Sequence, residues 1–235
     1  MRLSAHADAR IQAEPQLLEA NLDISRLDEA ASEIGAHVRF APAADTLMID
    51  IAATEPRGGL AARLLEIEGL PALDLTIKGD GPLNDWAADL RLALDGQTEI
   101  SGSARMAETG DGRRLDATLG GDLTALAPPV AHAFLMGRTA VETTVSFSRD
   151  FAPRTAKAEV RTDTLHVTGN AELGDETLTA KARVDLSAGN GALIALELPD
   201  RRVTIGDSSL EANVSGPRDS LDWSLALTSG STETT

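Results

Sequence analysis

Four histidines, His6, His37, His132 and His166, are the obvious candidates for metal binding or proton transfer. No two of them stand four residues apart, so the helical pair that grips zinc in H-E-x-x-H enzymes is absent. His166 lies between Leu165 and Val167, which puts it on the polar face of an expected strand as a solvated side chain. Carboxylates are abundant, but none sits in an apolar run that would raise its pKa for acid–base work. Asp-Gly-rich turns such as 110–112 lack the alternating Asp ladder and distal Glu of a calcium loop, and read as hairpin turns. No G-x-S-x-G elbow, phosphate-binding loop or dinucleotide fingerprint occurs. The Asn213-Val214-Ser215 sequon falls inside an alternating strand and is read as chance. These residues describe a non-enzymatic chain that needs no cofactor or metal.

The elements that carry these side chains follow from composition and period. The chain has 235 residues, with 37 acidic and 21 basic, a formal net charge of -16. Nucleic acid is thereby excluded as a partner, because phosphates must be met by clustered Lys and Arg. There is no cysteine, hence no disulfide scaffold and no thiolate metal site. Hydrophobic residues make up 42% of the chain but aromatics only 3%, so its apolar surface is mostly Leu, Ala, Val and Ile. No stretch reaches the roughly 18 apolar residues of a membrane-spanning helix. The first residues have no apolar core of a signal peptide and read as a strand, as if the chain begins partway into a structure.

Period-two alternation dominates, the mark of strands with one apolar and one polar face. Leu73, Leu75 and Ile77 form one such face. Ala88, Leu90, Leu92 and Leu94 form the next, followed by Val145 and Phe147. Leu165 and Val167, then Leu178 and Val184, then Ile194 and Leu196, and finally Trp223, Leu225 and Leu227 continue the series. Between them lie turn signals at Asp95-Gly96, Gly110-Asp111-Gly112, Gly174-Asp175, Gly189-Asn190-Gly191 and Gly206-Asp207, which imply an antiparallel meander. Helical spacing of Leu60, Leu64 and Ile67 predicts a short helix over 58–70. Pro128 and Pro129 open a second near 124–136, and Ser25 with Asp28 mark a third at 26–34. The expected organisation is a β-rich segment over 1–57, the helix at 58–70, repeated strands over 71–228 and a frayed tail at 229–235.

The small inward residues and the scarcity of aromatics favour an elongated, curled sheet with an apolar trough over a thick sandwich. An internal echo supports a repeat. Residues 79–94 read GDGPLNDWAADLRLAL and residues 214–227 read VSGPRDSLDWSLAL, each with Gly-Pro, then Asp-Trp, then a Leu strand.

The stretch 55–96, EPRGGLAARLLEIEGLPALDLTIKGDGPLNDWAADLRLALDG, resembles the TamB family of Gram-negative envelope proteins, in its alphaproteobacterial branch. The helix followed by Gly-Leu-Pro-Ala-Leu, and the motif residues Gly81, Pro82, Asp85 and Trp86, carry the likeness. Residues 121–137, GDLTALAPPVAHAFLMG, resemble the Pro-Pro insert of that branch. The resemblance implies an all-β chain, an elongated antiparallel β-taco with two or three short helices. It implies the periplasm, with the full-length protein anchored in the inner membrane. It also implies an Omp85-class barrel partner, reached through a region absent here. This chain would be an internal segment of such a protein, similar to AsmA-like and bridge-like lipid transfer proteins.

Two functions remain open at this point. In the first, the alternating rows line a conduit for phospholipid acyl chains, or a scaffold for autotransporter and outer-membrane protein assembly. In the second, a non-catalytic structural or adhesive sandwich or solenoid seals the same rows in a closed core. Exposure of the Leu rows to solvent distinguishes them.

Overall fold

The computed structural model describes residues 2–27, 32–64, 67, 69–127, 129–187, 189, 192–198, 201–230 and 232–234. The chain is all-β. Its strands are β1 (Leu3–Gln12), β2 (Leu17–Arg26), β3 (Glu33–Ala41), β4 (Thr46–Glu55), β5 (Leu73–Pro82), β6 (Asp85–Leu94), β7 (Thr98–Thr109), β8 (Gly112–Gly121) and β9 (Thr139–Ser148). They continue with β10 (Pro153–Arg161), β11 (Leu165–Leu173), β12 (Thr177–Leu186), β13 (Ile194–Leu198), β14 (Arg201–Ile205), β15 (Ser208–Pro217), β16 (Asp222–Ser229) and β17 (Thr232–Thr234). Fourteen belong to one antiparallel sheet in the order β1 through β12, then β15 and β16, and the sheet is not closed. A second sheet holds β13-β14-β17. By contact density the chain divides into two units, 1–108 and 109–235.

In the first unit the register lines up the alternating residues across strands. Ala5 pairs with Ile24, Ile24 with Ile34, Ile34 with Ala53, Ala53 with Leu75, Leu75 with Leu92 and Leu92 with Ile100. The next row runs Ala7, Leu22, Ala36, Ile51, Ile77, Leu90 and Gly102. Because strand side chains alternate, the intervening residues make an opposite, polar face: Asp8, Asn21, His37, Asp50, Lys78, Asp89 and Ser103 lie in one row. The turn between β6 and β7 has positive φ at both Asp95 (52°) and Gly96 (66°), as a type I′ hairpin requires.

The connection between β4 and β5 carries helix α1 (Leu60–Leu64). It is shorter than the 58–70 expected from spacing. Glu55 ends β4 on the apolar face and is buried. Its carboxylate accepts from the amides of Leu60 (2.9 Å) and Ala61 (2.7 Å) and from the Ser32 hydroxyl (2.8 Å). Three donors therefore satisfy a carboxylate that burial would otherwise penalise. Asp95 holds the far end of the same connection, accepting from Arg57 at 2.6 Å and from the Ala72 amide at 2.9 Å.

The second unit repeats the pattern. One row runs Leu119, Val141, Val160, Val167, Val184, Leu210 and Leu227; another runs Leu115, Val145, Ala156, Ala171, Ala180, Val214 and Trp223. Between them lies a row of small residues, Ala117, Thr143, Ala158, Gly169 and Ala182 before Ala212, ending on Leu225. The insert between β8 and β9 is a 3-10 turn at Thr124–Leu126 and helix α2 at Pro129–His132, two pieces in place of the single helix expected near 124–136. Thr162 and Thr164 on the β10–β11 turn donate to the carbonyls of Phe134 and Ala133, at 2.7 and 2.9 Å, and pin the insert there.

Three further expectations change. For the helix expected at 26–34, Arg26 ends β2 and Glu33 begins β3, and residues 28–31 lie outside the described residues. The tail expected to fray instead places Thr232–Thr234 beside β14. Ile194 and Leu196, expected to continue the main series, belong to β13, which pairs with β14. The chain skips β13 and β14, and β12 hydrogen-bonds directly to β15. Alternation predicts a two-faced strand but not which sheet receives it.

Candidate functional site

The residues read from the sequence as a continuous apolar surface fall into three groups by exposure. Leu73 and Leu94, paired with each other, are buried, together with Ala53 and Ile100 beside them and Ala62 and Ile67 from the α1 connection. Leu75, Ile77, Leu90 and Leu92 lie on the same face and are half-buried. In the second unit Val145, Phe147, Leu165, Val167, Leu178 and Val184 are likewise half-buried, while Leu225 and Leu227 are 60% and 69% exposed. Ile194 is buried in the second sheet.

The rows are thus sealed at Ala53, Leu73, Leu94 and Ile100 and half-open at Leu75, Ile77, Leu90 and Leu92. Each unit presents aliphatic surface on one face and charge on the other. Apolar contact of this kind is non-directional.

The Gly-Pro/Asp-Trp echo becomes a local design with two outcomes. Gly81 and Gly216 both have positive φ, 152° and 135°, at the strand end before the turn. Trp86 is buried and packs over Gly79, where an added Cβ would meet its ring carbon at 2.7 Å and the Ala88 Cβ at 2.6 Å. Trp223 pairs with Val214 on the outermost strand and is 77% exposed. The difference is the neighbour beyond: β7 brings Met106 alongside Trp86, whereas β16 ends the sheet.

The polar face holds the ionisable groups. His166 donates to Glu159 at 2.6 Å, and Arg161 meets the same carboxylate oxygen at 2.5 Å. The hydrogen bond from His166, aided by Arg161, holds the Glu159 carboxyl below its ordinary range against a smaller opposing desolvation. Asp116 is lowered by hydrogen bonds from Arg114 and from the Thr144 hydroxyl, and Asp185 by its hydrogen bond from Arg183. A hollow of about 650 Å³ opens among Arg114, Asp116, Lys157, Glu159 and Glu172. His37 is hydrogen-bonded to Asn21, and His132 to the Ala127 carbonyl at 2.9 Å. Among the described residues no three His, Asp or Glu side chains are grouped to hold a metal ion, and no helix is long and apolar enough to cross a membrane.

Sequence reasoning missed the Glu55 anchor. The signal was present: Leu47, Ile49, Ile51 and Ala53 set the parity of the apolar face, and Glu55 is a carboxylate at the next position of that parity. A charge where the pattern demands an aliphatic residue must be satisfied by something nearby. Comparison of the chain with protein-family models, with curated proteins and with solved structures gave no match.

Proposed function

We propose that this chain is a segment of a TamB-like protein of the periplasm, whose apolar sheet face forms a trough for phospholipid acyl chains moving between the inner and outer membranes. The observation that carries this reading is the half-buried state of Leu75, Ile77, Leu90 and Leu92 on rows that cross every strand of the first unit. Each CH₂ laid on such a surface gains about 0.8 kcal/mol, enough to hold an acyl chain collectively and little enough to let it step along. An assembly scaffold for outer-membrane barrels, which the resemblance also implies, would use the same rows against a client strand.

The test is a photo-crosslinking amino acid at Leu92 in living cells. A phospholipid adduct is expected, and Leu92→Lys should reduce lipid transfer while leaving the fold intact. A protein adduct in place of lipid would favour the scaffold, and no adduct at either Leu92 or Leu75 would remove the proposal.

A further inference from the structure

The apolar face of the first unit is buried toward both ends of its strands and half-open between them. Along β6 that face runs through Trp86 and Ala88, both buried, then Leu90 and Leu92, half-buried, then Leu94, buried. The two ends differ in what joins the strands. One carries the 56–72 connection, with Ala62 and Ile67 buried in it. The other carries the short turns at 13–16, 42–45 and 83–84.

The ends differ also in their polar chemistry. At the first, Ser32 donates its hydroxyl to Glu55, and the Leu60 and Ala61 amides donate to the same carboxylate, so these buried groups are satisfied. At the second, Trp86 is 5% exposed, and its indole Nε1–H is buried without an acceptor. Among the described residues of the first unit it is the one buried side-chain nitrogen or oxygen in that condition. An indole nitrogen only donates, and a buried one ordinarily finds an oxygen. The ring rests on the bare backbone of Gly79, where an added Cβ would stand 2.7 Å from Cζ2, a near covalent neighbour of Nε1. The N–H side of the indole therefore lies over β5, whose next residue on this face is the half-buried Ile77.

We propose that the Trp86 N–H receives an acceptor oxygen from the glycerol–phosphate end of a phospholipid whose acyl chains lie on Leu75, Ile77, Leu90 and Leu92. This inference rests on the acyl-chain reading above and adds the lipid's orientation to it: polar end at the 83–84 turn, chains toward the 56–72 connection. The ring tips off Gly79 to meet the oxygen, since no side chain there holds it. Tryptophan suits such a boundary because its body is apolar and its single polar atom stands at the edge.

Trp223→Phe leaves Trp86 as the sole indole, and Trp223 belongs to the second unit. In isotope-labelled protein the Trp86 indole proton should move downfield on titration with a short-chain phosphatidylglycerol, while a photo-crosslinker at Leu92 reports binding in a parallel sample. An ether-linked analogue lacks the ester carbonyls and separates the two kinds of oxygen: a shift kept with it assigns the phosphate, a shift lost with it assigns the carbonyl. A lipid adduct at Leu92 with an unmoved indole proton overturns the proposal and leaves the trough standing. No adduct at Leu92 removes both. A nitroxide on the headgroup should broaden the indole signal more than one at the chain end, and the reverse overturns the orientation. Trp86→Phe, checked for native circular dichroism, should weaken phosphatidylglycerol binding about 2- to 10-fold and leave binding of hexadecane, which has no oxygen, unchanged. Equal loss of both would mean that the ring only packs, and would also overturn the proposal.

Discussion

Glu159 is a carboxylate whose environment sets a pH response. Its folded pKa is lowered, first by the His166 hydrogen bond and then by Arg161. A lowered folded pKa means the stabilisation is present above the ordinary carboxylate value and disappears as pH falls through the folded value. The Glu159→Gln variant should therefore show a flatter dependence of stability on pH in the acid range, and a carboxyl titration followed by NMR should place Glu159 below an exposed Glu. At Gly79 the expectation is steric. Gly79→Val would drive Cβ into the Trp86 ring and Ala88, at a cost of about 1–3 kcal/mol in urea unfolding. His166 on the polar face was legible from alternation. Its partner was not: Glu159 stands opposite Thr168 and reaches His166 diagonally, so the contact exists only once the β10–β11 register is set.

At the scale of the element, the α1 connection is held less by its own helix than by its two ends. Five residues of helix are too few to be stable alone, so Glu55 and Asp95 act as its anchors. Glu55→Ala would leave buried amides and the Ser32 hydroxyl unsatisfied, and should lower stability by about 1–3 kcal/mol while accelerating hydrogen exchange at Leu60 and Ala61. Glu55→Gln, which still accepts, should lose less. Strands and tight turns were read well, because side-chain period and Asp-Gly chemistry are local properties. Helix length was read poorly, because the groups that hold the two ends of this connection come from β4 and from the β6–β7 turn.

For the whole molecule, the decisive contrast is between positions two residues apart on one strand. Leu94 is 3% exposed beside Leu73, while Leu92 is half-buried. Leu94→Ala should cost about 2–5 kcal/mol, and Leu92→Ala distinctly less, as measured by chemical denaturation. If the two cost the same, the exposed-row description is wrong. The two-faced sheet was evident in the sequence, since one alternating pattern serves every strand. The identity of the neighbours was not. The pattern is satisfied equally by β13 in the main sheet or beside β14, and the choice falls to the length and path of the segment at 187–207.

That same segment governs how the chain can be built. Wherever neighbours in the main sheet are also neighbours in sequence, each hairpin can zip onto the last as the polypeptide emerges from the ribosome, across tight turns or, at 56–72 and 122–138, across longer connections. The exception is the step from β12 to β15, which must wait while residues 187–207 are synthesised. During that pause the outer edge of β12 is bare. The interval before β15 arrives is therefore a moment in biogenesis when the nascent chain is open to mispairing and to capture by a chaperone.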